Sequence, residues 1–181
     1  MPRQSRNVYD HAIRSVGVKI IEVDSREEFH AALGKRTAMI AVLGTGEAKG
    51  KVRLEEMAEA GRKAGVPVLV DAAAELPLVP NPYLSRGADM VGYSGGKFLR
   101  GPQCAGLLLG RQDLVRAAWL NSSPHHAFGR SMKVGKEETM GMLAAMEVWR
   151  NKYDLQAEYR EWESWYAHIS DKITQVAGVQ T

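Results

Sequence analysis

Val66-Pro-Val-Leu-Val-Asp71, running on into Ala-Ala-Ala-Glu75, is a short apolar run that stops on a carboxylate. A run of this length, rich in valine and bounded by Gly65 on one side, reads as a buried strand. An aspartate at the end of such a strand is costly to ionise unless something positive pairs with it. The next apolar run, Asp89-Met-Val-Gly-Tyr93, leads directly into Ser94-Gly-Gly-Lys97. Upstream, Ala38-Met-Ile-Ala-Val-Leu43 reads as a further buried strand, followed by a glycine-rich loop over Gly44–Gly50. A helix then spans Val52 to Ala64 and ends at Gly65. Strands apolar on both faces and alternating with helices predict an α/β fold, a three-layer, mostly parallel sheet with flanking helices. In such sheets ligands gather outside the carboxyl ends of the strands. Asp71 and Ser94–Lys97 both fall at such ends.

Further out, Asn7 to Val16 reads as a helix with Asn7 as its N-cap, and Val18–Val23 as a strand. Ser25 and Glu28 have the spacing of a capping box that opens a helix toward Leu33. The proline-rich stretch around Pro77, Pro80 and Pro82 predicts a loop and a short helix near Tyr83. Cys104–Leu109 reads as another apolar strand, with Cys104 as a small core residue. From Gly135 the pattern changes to two long helices, over 135–150 and 154–176, the second carrying Trp162, Trp165 and Tyr166. A boundary near 134 is expected, with alternating strands and helices over 1–134 and long helices over 135–181.

Composition narrows the function. The 181 residues are 45% hydrophobic and 25% charged, a balance that supports a packed core rather than disorder. The formal charge is +3, but lysine and arginine are interleaved with acidic residues, which argues against a nucleic-acid partner. One cysteine excludes an internal disulfide or a cysteine zinc cluster. No apolar stretch approaches the roughly 20 residues a membrane span needs, and Met1–Asn7 lacks an apolar signal region. A cytoplasmic location is expected.

Several familiar motifs fail. A phosphate loop needs Ser or Thr after Gly-Lys, but Gly50-Lys51 is followed by Val52, and the dinucleotide pattern fails at Lys49. His125-His126 lacks nearby partners at ligand spacing and reads as a polar loop. No Gly-x-Ser-x-Gly elbow is present.

The pair that survives is Asp71 and Lys97. A carboxylate at one strand end suits a protonated pyridine nitrogen, and an amine at the neighbouring strand end suits a covalent link to an aldehyde cofactor. Ser94 and the amides of Gly95 and Gly96 are placed to meet a phosphate. An N-cap aspartate and a solvated lysine are the structural alternatives.

With Asp71-Ala-Ala-Ala-Glu75, Tyr93-Ser-Gly-Gly-Lys97, Gly101-Pro-Gln103 and Gly129-Arg-Ser-Met-Lys-Val-Gly-Lys-Glu137, the chain resembles the selenocysteine synthase-like enzymes. These belong to the fold-type I enzymes dependent on pyridoxal 5'-phosphate (PLP), and the likeness is greatest to the D-glucosaminate-6-phosphate ammonia-lyase branch, over about Arg3–Trp149. The resemblance implies Lys97 as the Schiff-base lysine and Asp71 as the partner of the cofactor's ring nitrogen. It also implies that Arg130 and Lys133, with Lys136 beside them, bind an anionic amino substrate at a helix start. A homo-oligomer with its active site shared between subunits is expected as well.

The sequence departs from that family in length. Nothing in residues 1–181 stands in for the family's upstream phosphate loop or its ring-stacking residue, so an incomplete large domain and weak PLP binding are expected. The implied chemistry is α-proton removal by Lys97 followed by β-elimination, as a lyase or a transferase. Two rivals stay open: a catalytically dead chain that serves as an interaction module, and a PLP-dependent aminotransferase.

Overall fold

A computed structural model describes all 181 residues. It contains a four-stranded sheet of β1 (Ile40–Leu43), β2 (Val68–Asp71), β3 (Met90–Ser94) and β4 (Gly106–Gly110). The helices in chain order are α1 (His11–Arg14), α2 (Arg26–Ala32), α3 (Gly44–Glu47), α4 (Leu54–Ala64), α5 (Pro82–Ser85), α6 (Gln112–Leu120), α7 (Lys136–Asn151) and α8 (Leu155–Ile173). The strands lie in the order β1-β2-β3-β4; the first three are parallel and β4 is antiparallel to β3. This is the mixed, mostly parallel α/β sheet that the strand–helix alternation predicts. Two compact units are present, Met1–Ala145, which holds the whole sheet, and Met146–Thr181.

The core follows from period-2 alternation. Ile40, Val42, Val68, Val70 and Val91 are all buried at 3% exposure or less, while Ala41, Leu43 and Leu69 between them are half-buried. The buried face packs on α4, whose Leu54 and Met57 are fully enclosed. A Cβ on Gly61 of α4 would stand 3.1 Å from Ile40 Cδ1 and 2.5 Å from the Val66 carbonyl, so only glycine allows this approach. Gly65 then ends α4 in the left-handed conformation, φ 68°.

Local signals hold where they are local. Asn7 Oδ1 accepts from the Tyr9 amide at 2.7 Å, and Ser25 Oγ accepts from the Glu28 amide at 3.1 Å. Glu28 closes the box on the amide of Asp24 rather than that of Ser25, at 2.6 Å. Four expectations need correction. The helix over Asn7–Val16 is a 3-10 turn (Val8–Asp10) followed by α1, which stops at Arg14. Gly44–Glu47 is a helical turn, not a loop, because it seats Glu47 against Arg86. Val18–Val23 forms no strand of the sheet; its one bridge is parallel, Pro2 to Val23, and Glu22 pairs with Arg6. Cys104 is exposed in the turn before β4, since the strand starts only at Gly106.

Candidate functional site

Because β2 and β3 are parallel neighbours, Asp71 and Ser94 end them on the same edge of the sheet. Asp71 is in register with Gly92, so alternation places Asp71, Gly92 and Ser94 on one face, opposite the buried Val70, Val91 and Tyr93. A Cβ built on Gly92 meets nothing within 4 Å. The face beside the carboxylate is therefore open at the strand that leads to Lys97. Asp71 is exposed and its Oδ1 accepts from the Ala73 amide at 3.0 Å, an Asx turn that fixes the carboxylate. Lys97 is exposed in the turn after β3.

The Ser-Gly-Gly turn differs from its expected use. The Gly95 amide donates to the Ala105 carbonyl at 2.9 Å and is not available to a phosphate. A Cβ on Gly95 would also lie 2.6 Å from that carbonyl and 2.9 Å from Met142 Sδ, and one on Gly96 would run into the Gln103 amide. Both glycines are thus demanded by the return loop 101–105 and by α7. Gly96 keeps its amide free of backbone bonds, and Ser94 its hydroxyl free of side-chain bonds.

Arg130 donates to Ser123 Oγ at 2.6 Å, Lys133 lies exposed before α7, and Lys136 is the first residue of that helix, followed by Glu137 and Glu138. No hydrogen bond links these three cations to Asp71, Ser94 or Lys97. His125 packs edge-on against Trp119, with ring centroids 4.3 Å apart, as part of a local turn.

Behind the strand ends lies a polar cluster that sequence reading passes over. Asn81 caps α5, accepting from the Tyr83 and Leu84 amides, and donates to Tyr93 Oη at 2.7 Å. Tyr83 Oη sits 2.8 Å from where a Cβ on Gly44 would be. Burial, with the Glu75 charge in support, pushes the Tyr83 hydroxyl up to about 12, so it stays protonated. Glu47 is buried but takes both terminal nitrogens of Arg86 at 2.9 Å and the Leu54 amide at 3.1 Å. Burial pushes the Glu47 carboxyl up, yet these bonds hold it below the usual carboxylate range. The Asn-Pro start of α5 is the one signal in the sequence that could have pointed here.

The edge thus combines a fixed carboxylate, an open floor at Gly92, a free hydroxyl and an exposed amine. That donor set fits a flat cationic heteroaromatic ring carrying an aldehyde. The sequence profile of the Cys/Met metabolism PLP-dependent enzymes matches residues 3–134. The chain belongs to that family.

Members of this family use pyridoxal phosphate as cofactor. The chain is 38% identical over 137 residues to a 5'-C-glycyluridine monooxygenase-decarboxylase of a Streptomyces species, covering 74% of this chain and 33% of that protein. It is 32% identical over 143 residues to the D-glucosaminate-6-phosphate ammonia lyase of Salmonella typhimurium, covering 75% and 37%. It is 27% identical over 156 residues to an L-seryl-tRNA(Sec) selenium transferase of Moorella thermoacetica, covering 75% and 32%. A solved D-glucosaminate-6-phosphate ammonia-lyase structure superposes with a TM-score of 0.74 at 30% identity, over 85% of this chain and 43% of that one. The chain spans about a third of the length of these curated relatives. None of its helices is long and apolar enough to cross a membrane.

Proposed function

We propose that residues 1–134 carry the lysine-bearing part of a PLP-dependent site acting on an amino acid or amino sugar acid. The observation that supports this most is the register of β2 with β3, which sets Asp71 beside the open Gly92 on the strand that leads to Lys97. Bound cofactor supplies an electron-poor ring that stabilises negative charge on the substrate's α-carbon. Asp71 Oδ2 holds the ring nitrogen's proton. Lys97 Nζ would anchor a bound cofactor at its aldehyde and would serve as the base toward the substrate's α-proton. Ser94 Oγ and the Gly96 amide bind the cofactor phosphate, and Arg130, Lys133 and Lys136 draw in an anionic substrate. Loss of a β-hydroxyl as water, then uptake of water and release of ammonia, gives a keto product; capture by a nucleophile instead gives transfer.

Titrating PLP into wild type and Lys97→Ala tests the assignment. Wild type should develop an absorbance band near that of an imine, which borohydride fixes on the peptide containing Lys97. Unchanged spectra in both proteins would overturn it. A second reading, oxidation and decarboxylation at the α-carbon, is favoured by the 38% identity to the Streptomyces enzyme. Dioxygen uptake with carbon dioxide release marks that reaction, and ammonia release without a keto-acid acceptor marks elimination.

A further inference from the structure

Gly101-Pro-Gln103 lies beside the lysine turn in space as well as in sequence. The Gly101 amide donates to the Gly95 carbonyl at 2.7 Å, the Gly95 amide to the Ala105 carbonyl at 2.9 Å and the Ala105 amide to the Pro102 carbonyl at 3.2 Å. Residues 95–105 therefore form one closed loop that carries Lys97. Helix α7 holds its base. A Cβ on Gly101 would stand 3.1 Å from Met142 Sδ and 3.2 Å from Ala145 Cβ, and one on Gly141 would stand 3.0 Å from Pro102 Cγ. Met142 is buried, as is Leu99 two residues after the lysine. The strand end and the return loop are thus fixed, and the peptide that precedes Lys97 lies between them.

Gln103 is the one side chain hydrogen-bonded to the backbone of Ser94–Lys97. Its Nε2 donates to the Gly96 carbonyl at 3.3 Å, on the peptide that joins Gly96 to Lys97. Gly96 is built to receive it. Its φ lies outside the left-handed region, so the backbone by itself does not demand glycine there. A Cβ at 96 would run into Oε1 and Cδ of Gln103 and stand 2.8 Å from its Nε2, and these are its three nearest neighbours. The space left by the missing side chain is therefore the seat of the Gln103 amide.

We propose that Gln103 is a positioning residue for Lys97. It holds the Gly96–Lys97 peptide, and with it the root of the arm that brings the amine to an aldehyde. A lysine amine sits on a flexible four-carbon stem, so its reach depends on how its own backbone is set. A neighbour that fixes that backbone raises the share of productive geometries. Gln103 acts through the peptide carbonyl, on the side of Gly96 away from the amide proposed to meet the phosphate. The role rests on Lys97 being the covalent anchor.

Two variants of the full chain remove the contact in different ways. Gln103→Met keeps the length and loses the N–H. Gly96→Ala keeps the N–H and displaces it from its seat, at little cost because the obstacle is the end of a flexible side chain. Followed by the imine band, PLP should bind Gln103→Met about three- to tenfold more weakly, the range of one neutral hydrogen bond. The thermal midpoint should stay within about 3 °C of wild type. Gly96→Ala should weaken PLP at least as much, and the double variant no further than Gly96→Ala, the mark of one shared contact. Pyridoxine 5'-phosphate, with an alcohol in place of the aldehyde, should bind wild type and Gln103→Met within about twofold of each other, since it forms no bond to lysine. Unchanged PLP affinity, additive losses in the double variant, or equal losses for both ligands overturn the proposal. Hydrogen exchange of the PLP-free chain separates this from a failure of the Lys97 assignment. The Arg100 amide donates to the Lys97 carbonyl at 2.9 Å. It should exchange about threefold or more faster in both single variants. Unchanged exchange overturns the role of Gln103 whether or not the imine band forms. Faster exchange with no imine band in wild type overturns the assignment of Lys97, and with it the purpose given to Gln103.

Discussion

Asp71 stands in register with Gly92 across the parallel β2–β3 ladder, and the side of Gly92 opens onto free space. The carboxylate therefore has a flat, unfilled neighbour on the strand that carries the lysine turn. Any larger residue at 92 would fill that floor without meeting another part of the fold. The register thus separates two demands that usually conflict, room for a ligand and integrity of the sheet.

Gly92→Val should weaken PLP binding about tenfold or more through occlusion of the ring position, while a β-branched residue in a strand leaves stability within about 1 kcal/mol. Spectral PLP titration beside thermal unfolding checks both halves. A large fall in stability with PLP binding intact would contradict the open-floor geometry.

Asp71→Asn keeps an oxygen for the Ala73 amide and so preserves the turn after β2. It removes the charge proposed to hold the ring nitrogen's proton. Thermal stability should stay within about 0.5 kcal/mol, as for surface substitutions generally, while the PLP absorbance band shifts or weakens. Asp71→Ala should lose the turn as well, and the difference between the two variants isolates the charge.

Gly44→Ala places a methyl group 2.8 Å from Tyr83 Oη and 3.3 Å from the Asp71 carbonyl. Overpacking of this kind costs about 1–3 kcal/mol. Tyr83→Phe removes the nearer obstacle, so the double variant should recover part of the loss. Chemical denaturation of the two single variants and the double variant measures that coupling directly.

Arg86→Met leaves Glu47 buried with only the Leu54 amide as partner. Breaking a buried pair from one side costs about 3–5 kcal/mol. The same network sets an acid limit. Hydrogen bonds from Arg86 hold the Glu55 carboxyl down at about 2, and Glu47 is shifted in the same direction. A carboxylate lowered by folding contributes stability above its unfolded pKa and loses it as pH falls toward the folded value. Wild type should therefore lose stability between roughly pH 4.5 and 2, and Arg86→Met should show a flatter fall over that window. Unfolding midpoints against pH provide the comparison.

What the sequence alone determined is what neighbours along the chain determine. Valine runs of strand length, the Ser25 and Asn7 caps, Gly65 at the end of α4 and the two long C-terminal helices all depend on contacts within a few residues. The same reading put Asp71 and Lys97 after consecutive strands, since alternation of strand and helix forces parallel neighbours to end on one edge. Tertiary structure decided everything that depends on distant residues. Val18–Val23 has strand composition but no ladder, because pairing needs a partner strand that local propensity cannot supply. The Gly95 amide goes to Ala105 rather than to a ligand, Cys104 is exposed rather than buried, and Gly92 opens beside Asp71. Burial and hydrogen-bond partners are set by which elements meet in space, and that is fixed only when the sheet register closes.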